Sequence, residues 1–333
     1  MKPLRIVIPG GTGHLGRLLV SDLSGRGHEV VVLGRGRPRG RCPGHAFLQW
    51  DARTLGPWAH ALDGADAVIH LSGRSVDCRY DKTNLRAMLD SRVESTRVLG
   101  LACVGAARPP RVWLQASTAT IYAHRFDAAN DEASGQIGGS ELDAPAYWRW
   151  SIDIARAWER ELAEADLPQT RKVALRTAMV MSLEPGGVFD VLQRLARLGL
   201  GGTMAGGRQY VSWIHEHDFV RAVAWLLERE DLSGPVNVCA PEPLPQRDFA
   251  RILRQACGSP FGLPSASWML ELGALVLRTD TELLLKSRRV VPGRLLASGF
   301  RFDHPTWPAA AHELVVRRRA RTANPSRTAG ATR

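Results

Sequence analysis

The tightest constraint on this chain is a run of glycines near its start. Gly10-Gly11-Thr12-Gly13-His14-Leu15-Gly16 follows an apolar segment rich in Ile and Val (residues 4–9). It precedes Leu15, Leu18, Leu19 and Leu23 at helical spacing. The order predicts a buried strand, a tight turn and a helix that Gly25-Arg26-Gly27 stops, with a second strand over 29–33. Two registers fit at once, Gly11-x-Gly13-x-x-Gly16 and Gly10-x-x-Gly13-x-x-Gly16. Both describe a loop that turns at positive φ, brings its backbone close to a pyrophosphate and lets the helix pack tightly on the strand. The helix N-terminus then offers N–H groups and a partial positive charge to the phosphates. Gly10, Thr12, Gly13, His14, Leu15 and Gly16 are therefore the expected contacts of a dinucleotide.

Further strands are predicted at 47–50, ending at Asp51, and at 67–71, 111–116 and 172–176, with long helices over about 83–105 and 145–165. This alternation implies an α/β fold, a doubly wound parallel sheet of Rossmann type. A helix near 218–229 and a strand near 235–238 return to that sheet. The expected organisation is a nucleotide-binding domain over 1–240, with 178–215 on the substrate side. A smaller helical lobe over 241–316 and a basic, disordered tail over 317–333 complete it.

The end of the second strand selects the coenzyme. An NAD site places Asp or Glu there, on the ribose hydroxyls. Here the chain reads Leu33-Gly34-Arg35-Gly36-Arg37, with no acid. Arg35 and Arg37 suit a 2′-phosphate through charge-assisted bonds, so NADP(H) is expected. Asp51, Leu71, Ser72, Gly73 and Arg176, at strand ends along the same edge, complete the expected cofactor set, with Arg176 read as either a nucleotide or a structural contact.

The net charge of +11 invites a nucleic-acid reading. It is localised, however: Arg35–Arg41 and Arg317–Arg333 carry ten of those charges, so no folded basic face and no nucleic-acid partner are expected. The longest apolar runs are too short for a membrane span or a signal peptide. The five cysteines are scattered, without a CxxC pair, and read as reduced thiols of a cytoplasmic protein. His215 and Asp218 lack the companions a metal shell needs, so no metal is expected.

The glycine loop, His70-Leu71-Ser72-Gly73 and Ser117 together resemble the extended short-chain dehydrogenases/reductases. More closely, the chain is similar to their atypical epimerase-like subfamily with its C-terminal module of unknown function. Leu175-Arg176-Thr177, Gly207-Arg208-Gln209-Tyr210, Trp213-Ile214-His215 and the Pro292–Phe302 segment carry that likeness over roughly residues 3–316. In the wider family a Ser, a Tyr and a Lys four residues after the Tyr work together. The Ser bonds the substrate oxygen, the Tyr moves a proton, and the Lys lowers the Tyr pKa.

This sequence departs from that pattern. Ser117 and Thr118 match the Ser region, but Tyr147 is followed at +4 by Ser151. Tyr122, five residues after Ser117, is the other candidate phenol. The catalytic candidates are Ser117, Tyr122 and Tyr147, with Thr118, Arg208, Gln209 and Tyr210 on the substrate side. The reading is an NADP(H)-dependent oxidoreductase or epimerase-like enzyme acting on a small carbonyl or hydroxyl compound, with a homodimer left open; the missing lysine favours the reductive direction, because protonation from water is easier to arrange than phenolate generation. The alternative is an NADP(H)-binding sensor that kept the fold and lost catalysis.

Overall fold

The computed structural model describes residues 2–36, 45–142, 144–266 and 280–323. Seven parallel strands form the central sheet: β1 (Arg5–Pro9), β2 (Glu29–Gly34), β3 (His45–Gln49), β4 (Ala67–His70), β5 (Val112–Thr118), β6 (Arg171–Thr177) and β10 (Gly234–Val238). Their spatial order is β10-β6-β5-β4-β1-β2-β3. After β3 the chain returns to the other side of β1, so the order reverses between β1 and β4. Beyond the carboxyl ends of the strands, such a reversal leaves a crevice where ligands bind.

Both faces of the sheet are covered, which is why its strands are apolar along their length instead of alternating. One core joins Ile6, Ile8, Val30, Val32, Leu114 and Leu175 to α1 (His14–Gly25) and α5 (Glu216–Glu228). The other joins Val7, Val31, Val68, Trp113 and Ala174 to α2 (Lys82–Val104) and α3 (Arg149–Glu164). Alternate residues of one strand therefore look toward different helix layers, a fact that later decides where Ser117 and Arg176 point.

A third core lies outside these two layers. It draws on β7 (Met179–Met181), α4 (Val188–Arg197), β8 (Tyr210–Val211), β9 (Trp213–His215) and α6 (Gln246–Cys257), which follows the two-residue β11 (Leu244–Pro245). Among the described residues, the helices that follow are α7 (Glu282–Leu285), α8 (Gly293–Ala297) and α9 (Trp307–Ala323). Phe249 stacks on Trp307 with ring centroids 4.1 Å apart. This core includes residues on both sides of position 240, so the division expected there does not separate two cores.

The tail needs a correction. Residues 317–323 were expected to be disordered, yet they continue α9. Leu314 and Val315 anchor the helix in the third core. Arg317 then pairs with Glu216 on α5, and Arg318 with Asp190 on α4. Acids contributed by distant elements turn a basic run into a docked helix end. The remainder of the tail lies outside the described residues.

Candidate functional site

The glycine loop sits where the strand order reverses. Gly10 has φ of +82°, and a Cβ there would lie 2.8 Å from the backbone of Leu71 and Ser72. At Gly16 a Cβ would lie 2.5 Å from the Cα of Gly11. Close approach of β1, the loop after β4 and α1 thus excludes side chains at these two positions. Gly13 is the N-cap of α1; no side chain caps the helix, and no acid stands in its first turn. Among the described residues no side chain caps the first N–H groups of α1 at the crevice. Nearby, among the described residues, the buried Ser72 hydroxyl has no partner, nor has either ring nitrogen of His14, whose ring packs on Gly187.

At the other side of β1, Arg35 stands exposed at the end of β2. It borders an open cleft of about 400 Å³ with Gln49, Trp50, Asp51, Thr54, Gly56 and Trp58. Asp51 is fixed by its neighbours: it accepts from the Thr54 hydroxyl (2.6 Å) and from the backbone N–H groups of Thr54 and Arg53. Those bonds hold its carboxyl down at about 2. The cleft therefore has an anion on one wall and a guanidinium on another. Arg37 lies outside the described residues.

Over β5 and β6 the structure rearranges the expected roles. Ser117 and Arg176 are register partners on adjacent strands, and both face α3. Ser117 Oγ donates to Glu159 Oε1 at 2.5 Å. Arg176 grips the same carboxylate with two bonds, 2.9 and 2.7 Å. Its other arm donates to the Tyr122 hydroxyl (3.0 Å), which donates in turn to Asn237 Oδ1 (2.9 Å). Tyr122 is 1% exposed, and burial pushes its phenol above the ordinary value. Burial works against the Arg176 charge, but the Glu159 bonds outweigh it and hold the guanidinium protonated. Ser117, Tyr122 and Arg176, expected as catalytic and cofactor residues, are joined here in a closed network beneath the carboxyl edge. Their hydrogen-bonding groups are spent on one another, and that is a structural role.

Thr118, one residue on, faces the other way. Its Oγ1 accepts from Thr120 N and starts the 3-10 turn Ala119–Ile121 at the edge itself. Tyr147 lies 41% exposed just before α3, its hydroxyl 3.1 Å from Thr281 Oγ1. On the expected substrate loop, Gln209 is a correction. Its side-chain amide donates to the carbonyls of Met204 and Leu284, and only 4% of the residue is exposed, so it is a tie within the fold. Arg208 lies over the Phe126 ring, and Tyr210 lies under Arg289. Asp218 accepts from Arg221 and from the backbone of Asp303 and His304, while His215 pairs with Glu313; this segment binds α5 to the chain around α9.

Sequence reasoning missed the segment that crosses the site. Residues 281–291 run along 120–130 and across to β8. Lys286 Nζ donates to Thr120 O, Ser287 N to His124 Nδ1, Arg288 N to Tyr210 O, and Asn130 N to Arg289 O. Glu282, Lys286 and Arg288 are 0%, 1% and 7% exposed. A signal was present: the chain has four lysines, and only Lys286 follows an acid at helical i,i+4 spacing.

Comparison with known proteins identifies relatives of the chain. The chain is similar to the epimerase family protein SDR39U1 of Bos taurus, 31% identical over 319 residues, which are 94% of this chain and all of that one. It is 27% identical to the epimerase family protein YfhF of Bacillus subtilis, over 95% of this chain and 99% of that protein. The crystal structure of human SDR39U1 (isoform2) with NADPH superposes with a TM-score of 0.80 at 29% identity, covering 94% of this chain and 99% of that one. Residues 266–314 match the domain of unknown function DUF1731. Residues 6–239 match the NAD dependent epimerase/dehydratase family, and the chain belongs to that family.

Proposed function

We propose that this protein binds NADP(H) and uses it as an oxidoreductase on a small carbonyl or hydroxyl compound, chiefly in the reductive direction. The observation that carries the reading is the uncapped, acid-free N-terminus of α1 behind a loop where Gly10 and Gly16 have no room for a Cβ. A pyrophosphate fits that cradle, because oriented N–H groups and the helix dipole favour an anion and the missing side chains let it approach. Gly10, Thr12, Gly13, His14, Leu15 and Gly16 would surround it, with Leu71, Ser72 and Gly73 on the facing loop. The partnerless Ser72 hydroxyl fits a ligand that supplies the missing bond.

The phosphorylated ribose would lie at Arg35. No carboxylate occupies the end of β2, and the Arg35–Asp51 cleft is open beside it. The NADPH in the crystal structure of human SDR39U1 supports the same choice. When bound, the coenzyme supplies hydride. The chain's part is to place a carbonyl at the carboxyl edge near Thr118 and to deliver a proton to its oxygen.

Calorimetric titration with NADPH, NADP+ and NADH tests the first step, and NADPH consumption with ketones, enones and quinones tests the second. Tight binding of NADPH with weaker NADH and turnover of at least one carbonyl class are expected. No heat with NADPH ends the reading. Binding without turnover of any compound favours a nucleotide sensor instead.

A further inference from the structure

The departure from Tyr-x-x-x-Lys leaves a specific gap. Position 151, where the lysine belongs relative to Tyr147, is Ser151. Of the four lysines, Lys2 and Lys82 are exposed, and Lys172 starts at the amino end of β6, tied to the carbonyls of Ala163 and Ala165. Lys286 alone is buried at the carboxyl edge. It reaches that edge from the C-terminal segment and brings Glu282 with it.

These two residues bridge α3 and the turn after β5. Ser151 Oγ lies within hydrogen-bond distance of Glu282 Oε1. Glu282 Oε1 is 3.7 Å from Lys286 Nζ, which donates to Thr120 O at 2.8 Å. Thr120 lies two residues beyond Thr118, and Ala155, one turn after Ser151, packs against Ala119 and Ile121 of the same turn. The bridge therefore occupies the space between the helix and the turn that follows β5.

Hydrogen counting at Ser151 bears on the state of Glu282. The Ser151 hydroxyl has one hydrogen and two oxygen neighbours, Glu282 Oε1 and the carbonyl of Trp148 at 2.9 Å. A carbonyl only accepts, so both contacts are bonds only if the carboxyl of Glu282 donates. Among the described residues the second carboxyl oxygen is buried with no partner, which disfavours an anion there. Titratable groups face Glu282 from two elements: Asp280, Lys286 and Arg288 on its own segment, and the Tyr80 phenol on the chain after β4. Burial outweighs the two cations and raises the carboxyl pKa, and it lowers that of Lys286. Ser151 itself is only half-buried.

Resting on the reductase reading above, we propose that Glu282 is the proton source of this site, that Ser151 passes the proton to the substrate oxygen, and that Lys286 is the positioning residue that holds Glu282 in place. In the step, the substrate carbonyl carbon accepts hydride from the reduced coenzyme, and its oxygen accepts the Ser151 proton. Ser151 takes the proton of Glu282, and the resulting carboxylate regains one from water after the alcohol leaves. The carbonyl is reduced, the coenzyme is oxidised, and one proton is drawn from solvent.

The test compares Glu282→Gln, Ser151→Ala, Lys286→Met and Lys286→Arg with the parent and with Lys82→Met as control. Thermal melting and NADPH calorimetry show first which variants fold and bind. Infrared spectra of the NADPH-loaded protein, followed over pH, then look for a protonated-carboxyl stretch. A stretch at neutral pH that Glu282→Gln abolishes and that ionises at higher pH in Lys286→Met than in the parent is expected. With any carbonyl the parent turns over, Glu282→Gln and Ser151→Ala should lower kcat by about 10²–10⁴-fold with little change in KM. Lys286→Arg should recover part of what Lys286→Met loses. A missing stretch, or a folded Glu282→Gln that keeps the parental kcat, overturns the proposal. A parent that turns over nothing yet shows the stretch removes the reductase reading and leaves Glu282 as a buried acid.

Discussion

The two ends of the crevice are built in different ways. The glycine loop and the end of β2 lie within the first 35 residues, in one strand–turn–helix–strand unit. The opposite end, over β5 and β6, gathers Ser117, Tyr122, Glu159, Arg176, Asn237, Glu282 and Lys286 from more than half of the chain. The first is made chiefly of backbone: positive φ, missing Cβ atoms and free N–H groups. The second is made of side chains that satisfy one another. A backbone site tolerates no added atom, whereas a side-chain site tolerates no unpaired charge.

The sharpest way to break that contrast is at the loop. Gly16→Val puts a side chain 2.5 Å from the Gly11 Cα and should abolish detectable NADPH binding in calorimetry. A variant that still binds would mean the loop is not a close-packed cradle. At the other end, Arg176→Ala strands the Glu159 carboxylate, which is 14% exposed. Loss of one partner of such a pair costs about 3–5 kcal/mol, measurable by chemical denaturation. The double variant Arg176→Met/Glu159→Leu should regain most of it, and failure to do so would point to a role beyond stability.

His70 lies between the two regions, at the end of β4 and bonded to Gln115 on β5. Burial lowers its pKa to about 4 from 6.5, so the folded protein binds its proton less readily than the unfolded chain. Stability from this group is complete above about pH 6.5 and falls as pH drops toward 4, by on the order of 3 kcal/mol. Denaturation curves at several pH values check this, and His70→Gln should flatten that part of the profile.

Arg35→Ala tests the coenzyme choice. Loss of charge-assisted bonds should weaken NADPH by about 1.5–3 kcal/mol while leaving NADH unchanged. Equal losses for both coenzymes would place Arg35 elsewhere. The smallest effect is expected at Tyr147→Phe. Its hydroxyl bonds Thr281 at a half-exposed position, so the cost in stability is about 0.5–1.5 kcal/mol at most, and turnover should fall far less than in Glu282→Gln. A large loss of turnover would return the proton to Tyr147.

The sheet and its order of elements were legible because each strand and helix carries its own apolar period. The third strand begins two residues before its predicted start, and the fifth helix runs Glu216–Glu228, shifted slightly from 218–229. The tail was misread because composition alone cannot show that Glu216 and Asp190 wait for Arg317 and Arg318. Ser117 and Tyr122 were the natural catalytic choices by position. Strand parity turns Ser117 toward α3, and Asn237 and Arg176 claim Tyr122.

The sequence by itself determined the doubly wound architecture, the glycine loop and the absence of an acid after β2. All three depend on neighbours within a few residues, where backbone geometry and residue type suffice. Only the tertiary structure decided which hydroxyls are spent, that Glu159 neutralises Arg176, and that Glu282 and Lys286 close the gap at Ser151. Charge pairing and desolvation act through space, and the partners here stand as much as 131 residues apart, so no local pattern can announce them.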